Sequence, residues 1–306
     1  MRLGQRPITI LDAPSNLGLK PLRPGHVPGT ARAPAALRAA GILSRLDATD
    51  AGSVPAPAYS PDVDPKTRVR NATAIQTYST ELAQALDPIL LSGRFPVVLG
   101  GDCSILLGSA LALRRHGRYG LLYADGHTDF ATPDTSPSGG AAGMDLALVC
   151  GRGPVELADL EGLRPLIRES DIVVLGHRDV RDPATYHARD IFASAVRLCP
   201  LDALRHVGVH NAVSEGAEAL RGAGVAGFWV HVDVDVLDSE VMPAVDSPQP
   251  GGLSYAELGE LLRVALASEL AVGMQVTIFD PDLDPDGRLA RELTALIVGA
   301  FSGHGA

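Results

Sequence analysis

A chain of 306 residues, 46% of them hydrophobic and 20% charged, is long enough for one large α/β domain and too apolar to remain disordered. Its formal net charge of −10 argues against nucleic acid or an anionic membrane surface as the main partner, and no apolar run reaches the length of a membrane span. Cys103, Cys150 and Cys199 are too few and too scattered for a disulfide framework, and the opening MRLGQRPITI has no long apolar stretch to act as a signal peptide, so reduced thiols and a cytoplasmic location are expected.

Residues 8–11 read as a short apolar strand that ends in the turn-rich Asp12-Ala13-Pro14-Ser15-Asn16. A helix opens at Ala33-Pro34, with proline in its first turn. Residues 53–65, polar and rich in proline, read as an irregular surface loop. A long helix follows over 73–91, where Ile75, Leu82, Leu86 and Leu90 fall near helical spacing. Residues 95–99 form a buried strand that stops at Gly100-Gly101-Asp102-Cys103-Ser104 and gives way to a helix through residues 111–115. A strand over 119–124 ends in Asp125-Gly126-His127-Thr128-Asp129, and a loop of Pro, Ser, Thr and Gly spans 132–140. Strands are expected over 171–175, ending in Gly176-His177-Arg178-Asp179, and over 196–199, with a helix over 211–221. Valines alternating with His231, Asp233 and Asp235 predict a strand over 228–236. Ser254 and Glu257 form a capping-box pattern ahead of a helix over 254–267, and a strand over 274–279 and a helix over 288–301 close the chain.

Short apolar strands alternating with helices predict a single domain, residues 1–306, built on a mostly parallel sheet covered on both faces. The polar motifs all sit at strand exits, the edge where such folds place ligands. Asp233 and Asp235 on an extended strand would project together, lose water and repel each other. A divalent cation between them is the simplest remedy. Asp125, His127 and Asp129 repeat the pattern at a second exit, and Cys103 offers a thiolate at a third. Each run alone has a plainer reading as a turn or helix cap. Four carboxylates and an imidazole at one sheet edge do not.

The order GGDCS, then DGHTD, then DVDVLD with a following PGGLS, together with GTARAPAALRAAGIL near the start, resembles the ureohydrolase family of arginases, agmatinases, formimidoylglutamases and guanidino-acid hydrolases. The resemblance covers nearly the whole chain. It implies a three-layer α/β/α sandwich around a parallel sheet of about eight strands, and two Mn²⁺ ions. Carried over, one metal takes Cys103, Asp125, Asp129 and Asp233, and the other Asp125, His127, Asp233 and Asp235. The reaction it implies is hydrolysis of a C–N bond in a linear amidine or guanidino compound. Water activated between the cations attacks the planar carbon, with Asp129 and Asp125 as the catalytic carboxylates. By analogy the protein is a trimer or hexamer acting on a small molecule.

Three departures shape the expectation. The usual GGDHS is GGDCS, so Cys103 replaces a histidine ligand and admits Ni, Zn or Co, or a single occupied site. An HGM run, whose histidine relays protons, is Ala142-Gly143-Met144 here. A glutamate that clasps the guanidinium is Ile278. Ser138 matches an arginase substrate contact, but Ala131 and Gly140 replace asparagines, so a substrate other than arginine is expected. Asp145, Asp179 and Asp280 are the alternative anchors, and His177-Arg178-Asp179 reads first as a salt-bridged loop. His231 reads as a core histidine or a partner to the ligands, Trp229 as core, and His206, His210 and His304 as surface. The competing functions are a one-metal, deacetylase-like amide hydrolase and a metal-stabilised protein without turnover.

Overall fold

The computed structural model describes residues 6–179 and 188–302. Eight strands form one sheet: β1 Ile8–Ala13, β2 Thr49–Ser53, β3 Phe95–Gly100, β4 Gly120–Ala124, β5 Ile172–Leu175, β6 Arg197–Cys199, β7 Phe228–Asp233 and β8 Ala271–Thr277. Their order is β2-β1-β3-β8-β7-β4-β5-β6, and every pairing is parallel. Parallel neighbours need long crossovers, and helices supply them.

Alternation along the strands divides the core into two layers. Phe95, Val97, Leu99, Val230 and Val232 face helices Ala33–Ala39, Val209–Gly222, Tyr255–Ala267 and Arg288–Ser302. Val98, Leu121, Tyr123 and Trp229 face helices Ala72–Leu91 and Leu106–His116. The architecture is therefore the three-layer α/β sandwich expected. Ser254 caps its helix as the sequence indicates: its hydroxyl accepts from the Glu257 amide while the Glu257 carboxylate accepts from the Ser254 amide.

Three local expectations change. β2, Thr49–Ser53, was not foreseen, because TDAGS is exposed throughout and carries no apolar pattern; it joins the sheet by backbone pairing with β1, helped by Arg38 on Asp50 and Arg94 on Thr49. β8 starts at Ala271 and stops at Thr277, because Ile278 takes a left-handed φ of 72° that no strand continues. The strand over 228–236 ends at Asp233, and Val234–Val236 is a turn of 3-10 helix.

Candidate metal centre

Four strand exits, those of β3, β4, β7 and β8, build the site. At three of them an aspartate turns the chain by accepting the amide two residues on. Asp102 accepts from Ser104 at 2.9 Å, Asp125 from His127 at 2.6 Å and Asp233 from Asp235 at 2.7 Å. It is this turn, rather than continued strand alternation, that brings Asp235 beside Asp233. Gly126 permits the close packing here. A Cβ on it would lie 2.5 Å from Arg178 Nη1 and 2.9 Å from the Asp235 carbonyl oxygen. The buried Arg178 clamps the β7 exit by donating Nη2 to the carbonyls of Asp235 at 2.8 Å and Gln249 at 3.1 Å.

Among the described residues two groups of ligand atoms result, each with all atoms within 4.8 Å of one another: Cys103, Asp125, His231 and Asp233, and Asp125, His127 and Asp235. Asp125 belongs to both. Cys103 Sγ lies 2.7 Å from Asp233 Oδ2, and His127 Nδ1 lies 2.8 Å from Asp235 Oδ2. The other His127 nitrogen, Nε2, is 2.9 Å from Gln249 Nε2. The floor carries a second chain of polar contacts. Trp229 Nε1 donates to Gln275 Oε1 at 3.1 Å, and Gln275 Nε2 donates to His231 Nδ1 at 2.8 Å. With Nδ1 accepting, the His231 proton sits on Nε2, 4.0 Å from Asp125 Oδ2. The ring stacks on Tyr123 at 4.3 Å. The Tyr123 hydroxyl lies 3.0 Å from Asp145 Oδ1 and 3.2 Å from Asp129 Oδ2.

Burial and crowding of like charges dominate the electrostatics. Burial, then the charges of Asp129 and Asp235, hold the Asp125 carboxyl well above the ordinary range. Burial, then Asp145, does the same to Asp129, and burial, then Asp235, to Asp233. Burial alone would lower His127, but Asp235 and Asp125 carry it up to about 11. Asp235, though buried, is held low by that imidazolium. Burial pushes His231 down to about 3, so its ring is neutral. One imidazolium cannot balance this many buried carboxyls, and Asp125 Oδ2 and His231 Nε2 are buried without a hydrogen-bond partner. The donor set therefore fits divalent cations, which would replace the proton on His127 Nδ1 and charge the carboxyls. A cavity of about 200 Å³ opens over the groups, with Cys103, His127, Asp233 and Asp235 in its wall.

Of the ligands expected from the sequence, the fold gathers Cys103, Asp125, His127, Asp233 and Asp235. Asp129 borders the cavity but stands outside both groups, bonded to Tyr123. Ser138 borders the cavity as well. The three alternative anchors are committed elsewhere, and none is among the described residues of the cavity wall. Asp145 is wholly buried under Tyr123, Asp179 accepts from Thr128 at 3.0 Å, and Asp280 accepts from the amide of Gly29 at 3.0 Å. His177 lies 3.6 Å from Asp179, but Arg178 is a backbone clamp rather than part of a salt-bridged loop. His231 is only half a core histidine, one nitrogen satisfied and the other facing the ligand atoms. Trp229 is fully buried, His206 and His210 are exposed, and His304 lies outside the described residues. Sequence reasoning passed over Asp246, Gln249 and Gln275. Only their nearness to the β7 and β8 exits could have flagged them.

Fold and site together define an α/β protein with metal-ligand residues gathered at the carboxyl edge of its parallel sheet. The model of the arginase family matches residues 8–302. An arginase of Staphylococcus aureus (strain COL) is 31% identical over 305 residues, covering 97% of this chain and 97% of the relative. The native structure of arginase from Bacillus caldovelox superposes with a TM-score of 0.86 at 29% identity, over 97% of this chain and 98% of the other. Formimidoylglutamase from Bacillus subtilis, at 20% identity and a TM-score of 0.74 over 97% and 87%, shares the fold. The chain belongs to the arginase family, hydrolases acting on C–N bonds in linear amidines.

Proposed function

We propose that the protein binds two divalent cations and hydrolyses a C–N bond in a small linear amidine or guanidino compound other than arginine. The observation that carries this is the pair of ligand groups sharing Asp125 on the floor of one cavity. Cys103, Asp125 and Asp233 would hold one cation, and Asp125, His127 and Asp235 the other, with Asp129, which the family resemblance adds to the first set, standing outside both groups at the cavity wall. Manganese suits the oxygen-rich set, and the Cys103 thiolate extends the choice to nickel, cobalt or zinc. Bound cations supply a water acidic enough to act as a nucleophile near neutral pH.

The chain's own groups do the rest. Asp129 stands at the cavity wall with the Tyr123 hydroxyl on Oδ2, placed to carry a proton to the leaving amine. Gln249 orients His127 through Nε2; that nitrogen carries a proton in the imidazolium and in a ring metallated at Nδ1 alike, so the Gln249 amide presents its oxygen to accept it. His231 points its Nε2 proton at Asp125 from below. Against arginine, Ile278 brings an apolar side chain to the cavity where the family resemblance places an acid, and Ala142 brings no titratable group. The second reading is arginine itself, favoured because the relatives named above are called arginase.

Two measurements test this. Metal analysis of the purified protein should return two ions per chain, and one ion or none refutes the dinuclear centre. Release of urea, ammonia or formamide should be followed over a guanidino and formimino panel that includes arginine. Turnover is expected on a member other than arginine, and arginine as the best substrate refutes that part.

A further inference from the structure

Four aspartates border the cavity: Asp129, Asp233, Asp235 and Asp246. Asp233 and Asp235 belong to the ligand groups, and Asp129 is tied to Tyr123. Asp246 has no such employment. It lies on the loop between β7 and helix Tyr255–Ala267, half-buried at the wall shared with His127 and Asp235. Among the described residues its carboxylate has one hydrogen-bond partner, the neighbouring Ser247 hydroxyl at 3.4 Å, the long limit of such a bond. Burial first, then the charge of Asp235, pushes its carboxyl up to about 6, against the opposing pull of His127. Ile278 borders the same cavity with an apolar side chain. Its φ of 72° is a conformation a β-branched residue rarely adopts, and its amide is tied to the Gly101 carbonyl at 2.7 Å, so the residue is fixed there.

The Asp246 carboxylate borders the open cavity with no ion-pair partner within 4.0 Å among the described residues, so a cation entering the cavity can meet it. The substrate class of the proposed function has one, the planar amidinium or guanidinium whose paired N–H groups match a carboxylate. We propose that Asp246 is the specificity-determining residue that holds this cationic end, taking the part that Ile278 cannot play. The inference rests on the proposed function for the substrate class, and it goes beyond it in naming the anchor. Asp246 and Ile278 sit on neighbouring loops, joined where the Asp280 amide donates to the Ala244 carbonyl at 2.8 Å.

The test uses the metal-loaded protein at pH 8 and guanidinium chloride as the probe, with ionic strength held by sodium chloride and binding followed by titration calorimetry. Asp246→Asn should weaken guanidinium binding roughly 10- to 100-fold, the range for losing a charged hydrogen-bond pair. Bound metal per chain should not change. Glu240→Gln removes the same charge from the exposed side of the same loop and should leave the affinity as it was. Asp246→Asn combined with Ile278→Glu should recover affinity. Guanidinium bound by Asp246→Asn as tightly as by the parent overturns the assignment, and so does loss of metal in that variant, which would make Asp246 a metal-site residue. Failure of the dinuclear reading shows separately, as a metal count below two in the parent protein.

Discussion

Asp125 is the carboxylate on which both ligand groups depend, and replacing it with asparagine separates its two roles. Oδ1 accepts the His127 amide at 2.6 Å, and asparagine keeps that acceptor. Oδ2 is buried with no partner, and asparagine removes its charge. In metal-free protein the folded carboxyl titrates above its unfolded value. Such a group favours the folded state at low pH, and the benefit is lost as pH rises through the folded value. The loss is up to about 1.4 kcal/mol per pH unit from about pH 4 upward, for as long as the folded group stays protonated. With metal chelated, Asp125→Asn should therefore gain on the parent in melting temperature from pH 5 to pH 8. With metal the order reverses. A cation at about 100 times its dissociation constant adds about 2.7 kcal/mol, or roughly 4 °C for a chain of this size. The parent should show that rise and the variant should not. Calorimetric melting with EDTA and then with excess Mn²⁺ reads both effects. A metal-induced rise in Asp125→Asn equal to that of the parent, or metal-free melting curves that track each other across pH, refutes the reasoning.

Cys103→His should keep or raise manganese per chain and Cys103→Ala should lower it, since Sγ lies 2.7 Å from Asp233 Oδ2; unchanged metal in both Cys103→Ala and Cys103→Ser removes Cys103 from the ligand set. Gln275→Leu strands the Trp229 indole N–H and His231 Nδ1 in the core, at about 1–3 kcal/mol each, so urea unfolding should show a loss of about 2–6 kcal/mol with an unchanged slope. A loss below about 1 kcal/mol would mean the chain of contacts adds little. Arg178→Met withdraws the donors that hold the Asp235 and Gln249 carbonyls, and metal affinity measured against a chelator should fall roughly 10- to 100-fold. Unaltered affinity would leave Arg178 a purely structural residue.

Apolar content and alternation were enough to indicate the sheet. Strands such as Phe95–Gly100 are buried on both faces and so read as continuous apolar runs. β2 escaped notice because an exposed edge strand is made by backbone pairing, which leaves little mark on composition. At the site, strand exits carrying Asp, His and Cys were visible as motifs, and five of the six expected ligands converge. The reason given for Asp233 and Asp235 was nonetheless wrong in detail: a local hydrogen bond from the Asp235 amide, not strand alternation, sets their relation.

What the linear chain decided by itself was local: which segments are apolar enough to be buried, where capping box and turns fall, and which residues can bind a cation. The fold alone decided what depends on separation in space. It placed Asp246 in the cavity wall and withdrew Asp145, Asp179 and Asp280 from it. It joined Trp229, Gln275 and His231 across β7 and β8. Such contacts form between neighbouring strands or across loops, and no spacing along the sequence records them.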